Sequence, residues 1–485
     1  MLRPCCRKFR LSVLHAPRHA RHFELAAQYG LRPAHEHGFS LPVWRARADA
    51  HVTAWRHLAW DRELRIPLGE SAHPVKNTLV LAAANEIVLT RLPSRLRGTS
   101  RHEFRCRFPF SIRAWTIDEV QDLAILVEDA AQPPYPCHVL SLSTGQPHPL
   151  AERMLPPLVQ ESAMNAEASV RIHDEFAGIV NAGRLSVWNW RTGVQLLDID
   201  SEDDFCFLDD EHVLTVLFDW ETLCARICVH AFRSENSNRP PRLTFALPRL
   251  RTSSSSAEVF VRLNEQSAYP FAQDDGMLVA DPSDRALFVT TQVVATSARG
   301  TVRGATFCVP LSFLAEYVRD TTALSDDAEF EVPWAEWGPE VCGAVPDTGS
   351  MACFGTRAAR SVPASVAGVE LEVFDFHPGR VELARRSLPV RGGKFERGQG
   401  EKYGHASAIG AGWFTVQRCA KLDGRLFDEE DARAMPGLPY IVSRRHVPDP
   451  WSAGGRVLLT EDALLYMPRR DPVTSEPAEY QAFVF

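Results

Sequence analysis

Two rhythms of apolar and polar positions divide the chain. Up to residue 61 the apolar positions recur at helical spacing. Cys6, Phe9 and Val13 stand at i, i+3 and i+7 behind Pro4, and Pro17 ends that run. Phe23 to Tyr29 fits a second short helix, with Gly30 as its stop. The third predicted helix is the best marked. Ser40 can cap it, Pro42 falls in its first turn, and Leu41, Trp44, Ala48, Val52, Trp55 and Ala59 make one apolar stripe, while Arg45, Arg47, Asp49 and Arg56 point elsewhere. Such a stripe is a docking face for a larger body.

From residue 62 to the C-terminus the pattern changes to short runs rich in Val, Ile, Leu, Phe and Trp, separated by Gly, Pro, Asp, Asn and Ser. Predicted strands include Thr78 to Ala82, Glu86 to Thr90, Leu123 to Glu128, Phe176 to Asn181, Leu185 to Trp190, Val213 to Leu217, Ile227 to Phe232, Ala286 to Thr291, Glu370 to Phe376 and Arg456 to Thr460. Many short strands with few helices predict a sandwich, a barrel or a propeller. Internal repeats favour the propeller. Val187-Trp188-Asn189-Trp190-Arg191-Thr192-Gly193 resembles the inner hairpin of a WD-repeat blade, with Gly193 supplying the positive φ of the turn. Weaker copies are Val139 to Gly145 and Val373 to Gly379. Gly145 and Gly193 are 48 residues apart and Gly193 and Gly379 are 186 apart, near one and four steps of a blade-sized repeat of about 40 to 45 residues. The expected architecture is mainly β: a helical segment over residues 1–61, then a propeller over 62–485, with seven blades as the modal number.

Composition narrows the function classes. Hydrophobic residues make up 45% of the 485 and charged residues 24%, which excludes a disordered chain. No apolar run reaches the roughly 18 to 20 residues of a membrane-spanning helix. Against 61 acidic residues stand 53 basic ones, a net charge of −8 that repels a phosphate backbone. Nucleic acid and membrane are therefore not expected partners. The 11 cysteines include no CxxC pair, and no Asn-x-Ser/Thr sequon occurs, so reduced thiols and a cytoplasmic or nuclear location are expected. Cys224 and Cys228 read as core residues. A basic, acid-free leader over residues 1–23 leaves a mitochondrial presequence as the alternative.

Candidate chemistry is thin. No P-loop, GxGxxG, GxSxG, HExxH or kinase signature is present, and a propeller enzyme would have to converge His, Asp, Glu or Arg in its central funnel. His15, His19 and His22 have helical spacing, but Pro17 interrupts them and no Cys or carboxylate completes a zinc set. The acidic runs Glu202-Asp203-Asp204 and Asp209-Asp210-Glu211 flank a four-residue apolar strand and read as its solvated ends. Trp334 and Trp337 read as core fillers. The expectation is no catalytic residue, no cofactor and no metal.

Several segments, in order, resemble a large family of fungal F-box proteins whose C-terminal part is a WD-repeat-like propeller. Leu2-Arg3-Pro4-Cys5-Cys6-Arg7-Lys8-Phe9 resembles the closing helix of an F-box, and Trp55-Arg56-His57-Leu58-Ala59-Trp60 the family's WxxLxW helix. Arg91 to Ser94, Thr116 to Asp118 with Gln121 to Leu123, Trp188 to Gly193, Pro333 to Pro339 and Leu438 to Tyr440 follow in the family's usual sequence. The resemblance implies a substrate receptor of a cullin-RING ubiquitin ligase: the F-box binds a Skp-type adaptor and the propeller recruits a target protein. This chain begins inside the F-box-like helix, so Cys6, Phe9 and Val13 are the partner-binding residues that the resemblance leaves. One such stripe is far narrower than the roughly 1,200 to 2,000 Å² of a stable interface. Weak or no adaptor binding by this chain is the resulting expectation.

Overall fold

The structure, a computed structural model, describes residues 25–33 and 41–485, apart from 68–70, 95, 160–168, 182, 201–203, 234–242, 252–256, 265–277, 281–284, 296–301, 323–329, 348–350, 365–367, 388–412, 418–425, 435–436, 449–454 and 469–478. The first predicted helix, with Cys6, Phe9 and Val13, and the histidines at 15, 19 and 22 lie outside the described residues.

Strands in the middle of a sheet here are apolar on both faces. Leu123–Glu128 is buried at five consecutive positions and Phe176–Asn181 at all six. Such runs, without the alternation of a one-sided strand, need cover above and below. A propeller supplies it, because each sheet is sandwiched between two others. Among the described residues there are seven sheets of four or five strands and one two-stranded pair. In chain order, blade 1 spans Ser71–Val75 to His102–Arg107, blade 2 Ile112–Asp118 to Leu155–Leu158 and blade 3 Ser169–His173 to Val194–Asp200. Blade 4 runs from Phe205–Phe207 to Leu243–Ala246, with Phe330–Val332 added in parallel at its edge. Blade 5 runs from Ala257–Asn264 to Gly343–Asp347, and blade 6 from Ala352–Phe354 to Tyr440–Val447, with Trp413–Gln417 at its edge. Blade 7 takes Gly455–Leu459, Ala463–Pro468 and Glu479–Val484 from the C-terminus, and its fourth strand is Arg62–Pro67.

The ring is closed by its cores. Separate apolar clusters join blades 1 and 2, 2 and 3, 3 and 4, 4 and 5, 5 and 6, 6 and 7, and finally 7 and 1. First strands of neighbouring blades lie side by side, as Ile112–Asp118 does against Ser169–His173, so they form the inner wall.

The sequence-predicted strands all fall on strands of this ring, and seven is the blade number. Three details differ. The Trp188 to Gly193 hairpin joins the third and fourth strands of blade 3, the outer half of the sheet, and not an inner pair. Gly193 does hold the turn, at φ 71°, and the Asn189 Oδ1 accepts from the Arg191 and Thr192 amides, both at 3.1 Å. Gly379 lies in the helix Pro378–Ser387 and not in a hairpin. It stands one blade sooner than its spacing predicts, because the helical insertions Leu311–Thr322 and Trp334–Val341 lengthen the stretch before it. Trp334 and Trp337 fill the core between blades 4 and 5, donating to the carbonyls of Ala434 and Ala246, each at 3.0 Å.

Cys224 and Cys228 are buried, and burial pushes both thiols up to about 11, so they stay protonated and unreactive.

Trp188 is 4% exposed within the core between blades 2 and 3, and Trp190 is fully buried with its indole N–H on the Asp174 carbonyl at 2.8 Å. Truncating a core Trp costs about 3 to 5 kcal/mol, much of a stability of roughly 5 to 15 kcal/mol. Trp188→Ala should therefore lower the melting temperature measured by differential scanning calorimetry. Unchanged melting with lost partner binding would move both tryptophans to a binding surface.

Candidate functional site

The most concentrated chemistry lies where the N-terminal segment meets the propeller. Residues 25–29 form a helical turn that ends at Gly30, and helix α1, Leu41–His57, follows. Trp44, Ala48, Val52 and Trp55 of the predicted stripe are buried, whereas Ala59 is exposed. The helix stops at His57, and Leu58, fully buried at φ 44°, closes the stripe in its place. Leu25, Tyr29, Trp44, Ala48 and Val52 pack with Leu96 of blade 1 and with Leu383 of the helix Pro378–Ser387. Gly379 permits this approach, since a Cβ there would sit 1.9 Å from the Ala27 carbonyl oxygen.

Aromatic stacking fixes the end of α1. Trp55 stacks on Phe485 at 4.0 Å between ring centroids, and Trp60 on Phe483 at 4.1 Å. The Arg357 and Arg445 guanidiniums cover the two indoles at 4.4 and 3.4 Å.

Beneath α1 lies a buried charge cluster drawn from the turns of blades 1, 6 and 7. Asp375 ends the third strand of blade 6 and takes Arg380 on both carboxylate oxygens, at 2.8 and 3.0 Å, with Arg357 at 3.4 Å. Arg380 also donates to Thr356 and, at 2.8 Å, to the Tyr29 carbonyl. In blade 7 the turn residues Glu461 and Asp462 both meet Arg97 of blade 1. His51 of α1 stands 3.8 Å from Asp462. His377 accepts from the Arg380 amide at 3.1 Å.

Burial sets the protonation states. It pushes the Asp375 carboxyl up, but Arg380 and Arg357 outweigh it and hold the group at about 2. His51 is lowered to about 3 by burial and the three arginines, against the pull of Asp462. His377 is lowered to about 3 by burial and Arg380. The result is three arginines facing three carboxylates across two neutral imidazoles, a self-neutralised joint.

The sequence marks the stripe Trp44, Ala48, Val52 and Trp55 and the segment Trp55 to Trp60, and Asp375 and His377 fall within the Val373 to Gly379 copy, but no member of the charge cluster is marked as such. Arg97, Asp375, Arg380 and Asp462 are scattered over nearly 370 positions, and no local spacing marks them. The acidic runs around Phe205 are, as expected, the ends of a buried strand, with Asp210 and Glu211 exposed, and several of their carboxylates also pair with neighbours. Asp204 pairs with Arg171 at 3.0 Å, Asp209 with His212 at 2.9 Å and Asp210 with His173 at 3.0 Å, while 201–203 lie outside the described residues. His173, Asp174 and Asp210 bring ligand-type atoms within 4.8 Å of one another, the one such group among the described residues. Among them, too, no helix is long and apolar enough to cross a membrane.

No protein-family model matches the chain, and no characterised protein matches it by sequence. Solved structures do. The WD40 domain of SCAP from fission yeast is 9% identical, with 86% of this chain and 81% of that one covered at a TM-score of 0.35. A eukaryotic initiation factor is 9% identical, with 65% and 74% covered at 0.30. The Plexin A4 extracellular region is 9% identical, with 87% of this chain and 51% of that one covered at 0.36. Likeness this loose carries no argument about function, and the fold rests on the sheets and cores above.

Two measurements check the chemistry of these sites. His51 and His377 bind a proton in the unfolded chain near the ordinary value of about 6.5 but only near 3 in the fold. The stability they leave intact above pH 6.5 is lost as pH falls towards 3. Asp375, depressed to about 2, adds a further loss below the ordinary carboxylate range. Urea midpoints should fall from pH 7 to 4, and less steeply in His377→Gln; a flat profile would show that the histidines are not buried neutral. Elemental analysis of tag-free protein should find substoichiometric zinc and calcium. One retained equivalent, lost in His173→Ala, would establish a metal at His173, Asp174 and Asp210.

Proposed function

We propose that the protein is a non-enzymatic interaction scaffold whose propeller holds a target protein and whose N-terminal segment fixes that target relative to a second partner. The joint under α1 supports this reading. A receptor that presents a bound protein to machinery elsewhere needs a stiff connection, and here stacked indoles and buried ion pairs seat the segment on three blades at once. A net charge of −8 sets the scaffold towards proteins and away from nucleic acid.

The finer reading follows the resemblance to fungal F-box propeller proteins. It makes the chain a substrate receptor of a cullin-RING ubiquitin ligase, with Cys6, Phe9 and Val13 facing a Skp-type adaptor. The single stripe still argues for weak contact.

Affinity purification of the full chain, beside Phe9→Ala, tests both levels. One recurrent target retained by both proteins, with little or no adaptor, is expected. No stoichiometric protein partner would sink the scaffold reading. Adaptor bound at submicromolar affinity and lost in Phe9→Ala would overturn the expectation of weak contact and make residues 1–30 a partner site.

A further inference from the structure

Between residues 29–31 and α1 on one side, and the turns of blades 1, 6 and 7 on the other, lies a cavity of about 50 Å³. That exceeds the roughly 30 Å³ of one water. His51, Arg97, Thr356, Arg357, Arg380 and Asp462 are among its walls.

The charges around it are segregated. Arg97 serves both Glu461 and Asp462, one cation for two acids. Arg357 and Arg380 share the single carboxylate of Asp375, two cations for one acid. The blade 6 wall therefore carries one positive charge in excess. Arg357 is also the less satisfied guanidinium: its bonds to Asp375 and to the Glu461 carbonyl are both 3.4 Å, near the outer limit of a hydrogen bond. Thr356 accepts from Arg380, which leaves its own hydroxyl hydrogen to donate. Across the cavity stands His51, 7% exposed, whose Nδ1 has no hydrogen-bond partner. A buried polar atom without a partner is costly unless a guest satisfies it.

We propose that this cavity binds one carboxylate, received by the Arg357 guanidinium, the Thr356 hydroxyl and His51 Nδ1, which donates in the tautomer that carries the imidazole proton there. The group has two acceptor oxygens, suits a planar guanidinium fork and fits a space larger than one water. Tyr29, Asp49 and His377 do not compete, because Tyr29 is bonded to Asp49 at 2.8 Å and His377 to the Arg380 amide. Glu461 faces Arg97 on the far wall, whereas Asp462, on Arg97 and 3.8 Å from His51 Nε2, opposes an anion at the His51 end, where the Arg357 charge has to outweigh it. Because the guest touches α1 and blade 6 together, its binding clamps the N-terminal segment. The inference does not depend on which target the propeller carries.

The test uses the full chain with sodium formate at constant ionic strength. Formate should raise the melting temperature saturably and increase hydrogen-exchange protection of residues 41–57 above that of blade 2. Thr356→Val, which keeps the side-chain shape but also removes an acceptor of Arg380, should melt somewhat lower than the wild type without formate and, still folded, bind formate about tenfold more weakly, the loss expected for one hydrogen bond to a charged group. Arg357→Lys should weaken it further. A shift that never saturates, an equal shift with chloride, or an unchanged affinity in Thr356→Val would overturn the proposal. A peptide whose one carboxylate is its C-terminus forms the second arm: tighter binding than formate assigns the site to a partner protein, and weaker binding to a free small acid.

Discussion

Everything in this molecule depends on one strand pairing made across the whole chain. Arg62–Pro67 runs antiparallel to Glu479–Val484 with six residues in register, and so supplies the outer strand of the last blade. An opened ring would expose the cores between blades 6 and 7 and between 7 and 1, which together hold Ile66, Leu79, Leu81, Tyr466, Tyr480, Phe483 and Phe485. The entropy of closing so long a loop grows only with the logarithm of its length, about 0.6 kcal/mol per doubling. The apolar area covered on closure, at about 25 cal/mol per Å², therefore decides the matter.

The same pairing builds the joint. Helix α1 runs directly into the closing strand, and the Asp61 amide donates to the Val484 carbonyl at 2.9 Å. The rings that carry Trp55 and Trp60 belong to Phe485 and Phe483, so the segment has no seat until the C-terminal strand is in place. The spacing of Trp55, Leu58 and Trp60 answers this geometry. Trp55 points from the last helical turn, Leu58 breaks the helix in a left-handed conformation, and Trp60 is delivered from extended chain to the alternate ring on the partner strand. A left-handed Leu costs on the order of 1 to 3 kcal/mol, and complete burial of its side chain offsets it.

What could be read in the sequence, and what could not, follows from the range of each interaction. Continuous apolar runs such as Leu123 to Val127 and turn glycines such as Gly193 are local, and they marked the strands and the Gly193 turn, though not which half of the blade that hairpin joins. The stripe Trp44, Ala48, Val52 and Trp55 is local too, and it announced a docked helix without naming its seat. Blade spacing misled where helices are inserted into loops, because counting residues assumes uniform connections. The charge cluster was invisible. Its members come from turns of three blades and from two helices, and Asp375 beside Arg380 looks in the sequence like any surface pair.

That cluster also explains why the joint is ionic. Helix α1 lies over the outer strands of blade 6, Trp413–Gln417 and Tyr440–Val447, and its apolar stripe is bedded there, but it also borders strand-joining turns, whose amides, carbonyls and short polar side chains offer no such bed. A helix seated there has to satisfy polar groups, and an unpaired one would cost more than the contact contributes. Replacing such a cluster by hydrophobic residues is often neutral or stabilising in other folds, but only where the surrounding backbone is already satisfied. Here Arg380 bonds the Tyr29 carbonyl and Arg445 the Leu58 carbonyl, so the guanidiniums terminate backbone that no apolar side chain could. Each guanidinium has a fixed fork of donors, and a segment shifted by one residue would leave several of them unmet. The joint thus trades generic adhesion for a single orientation of α1 on the ring, and because Asp375, Asp462 and the three arginines are buried and Glu461 is only partly exposed, salt in the solvent screens them little.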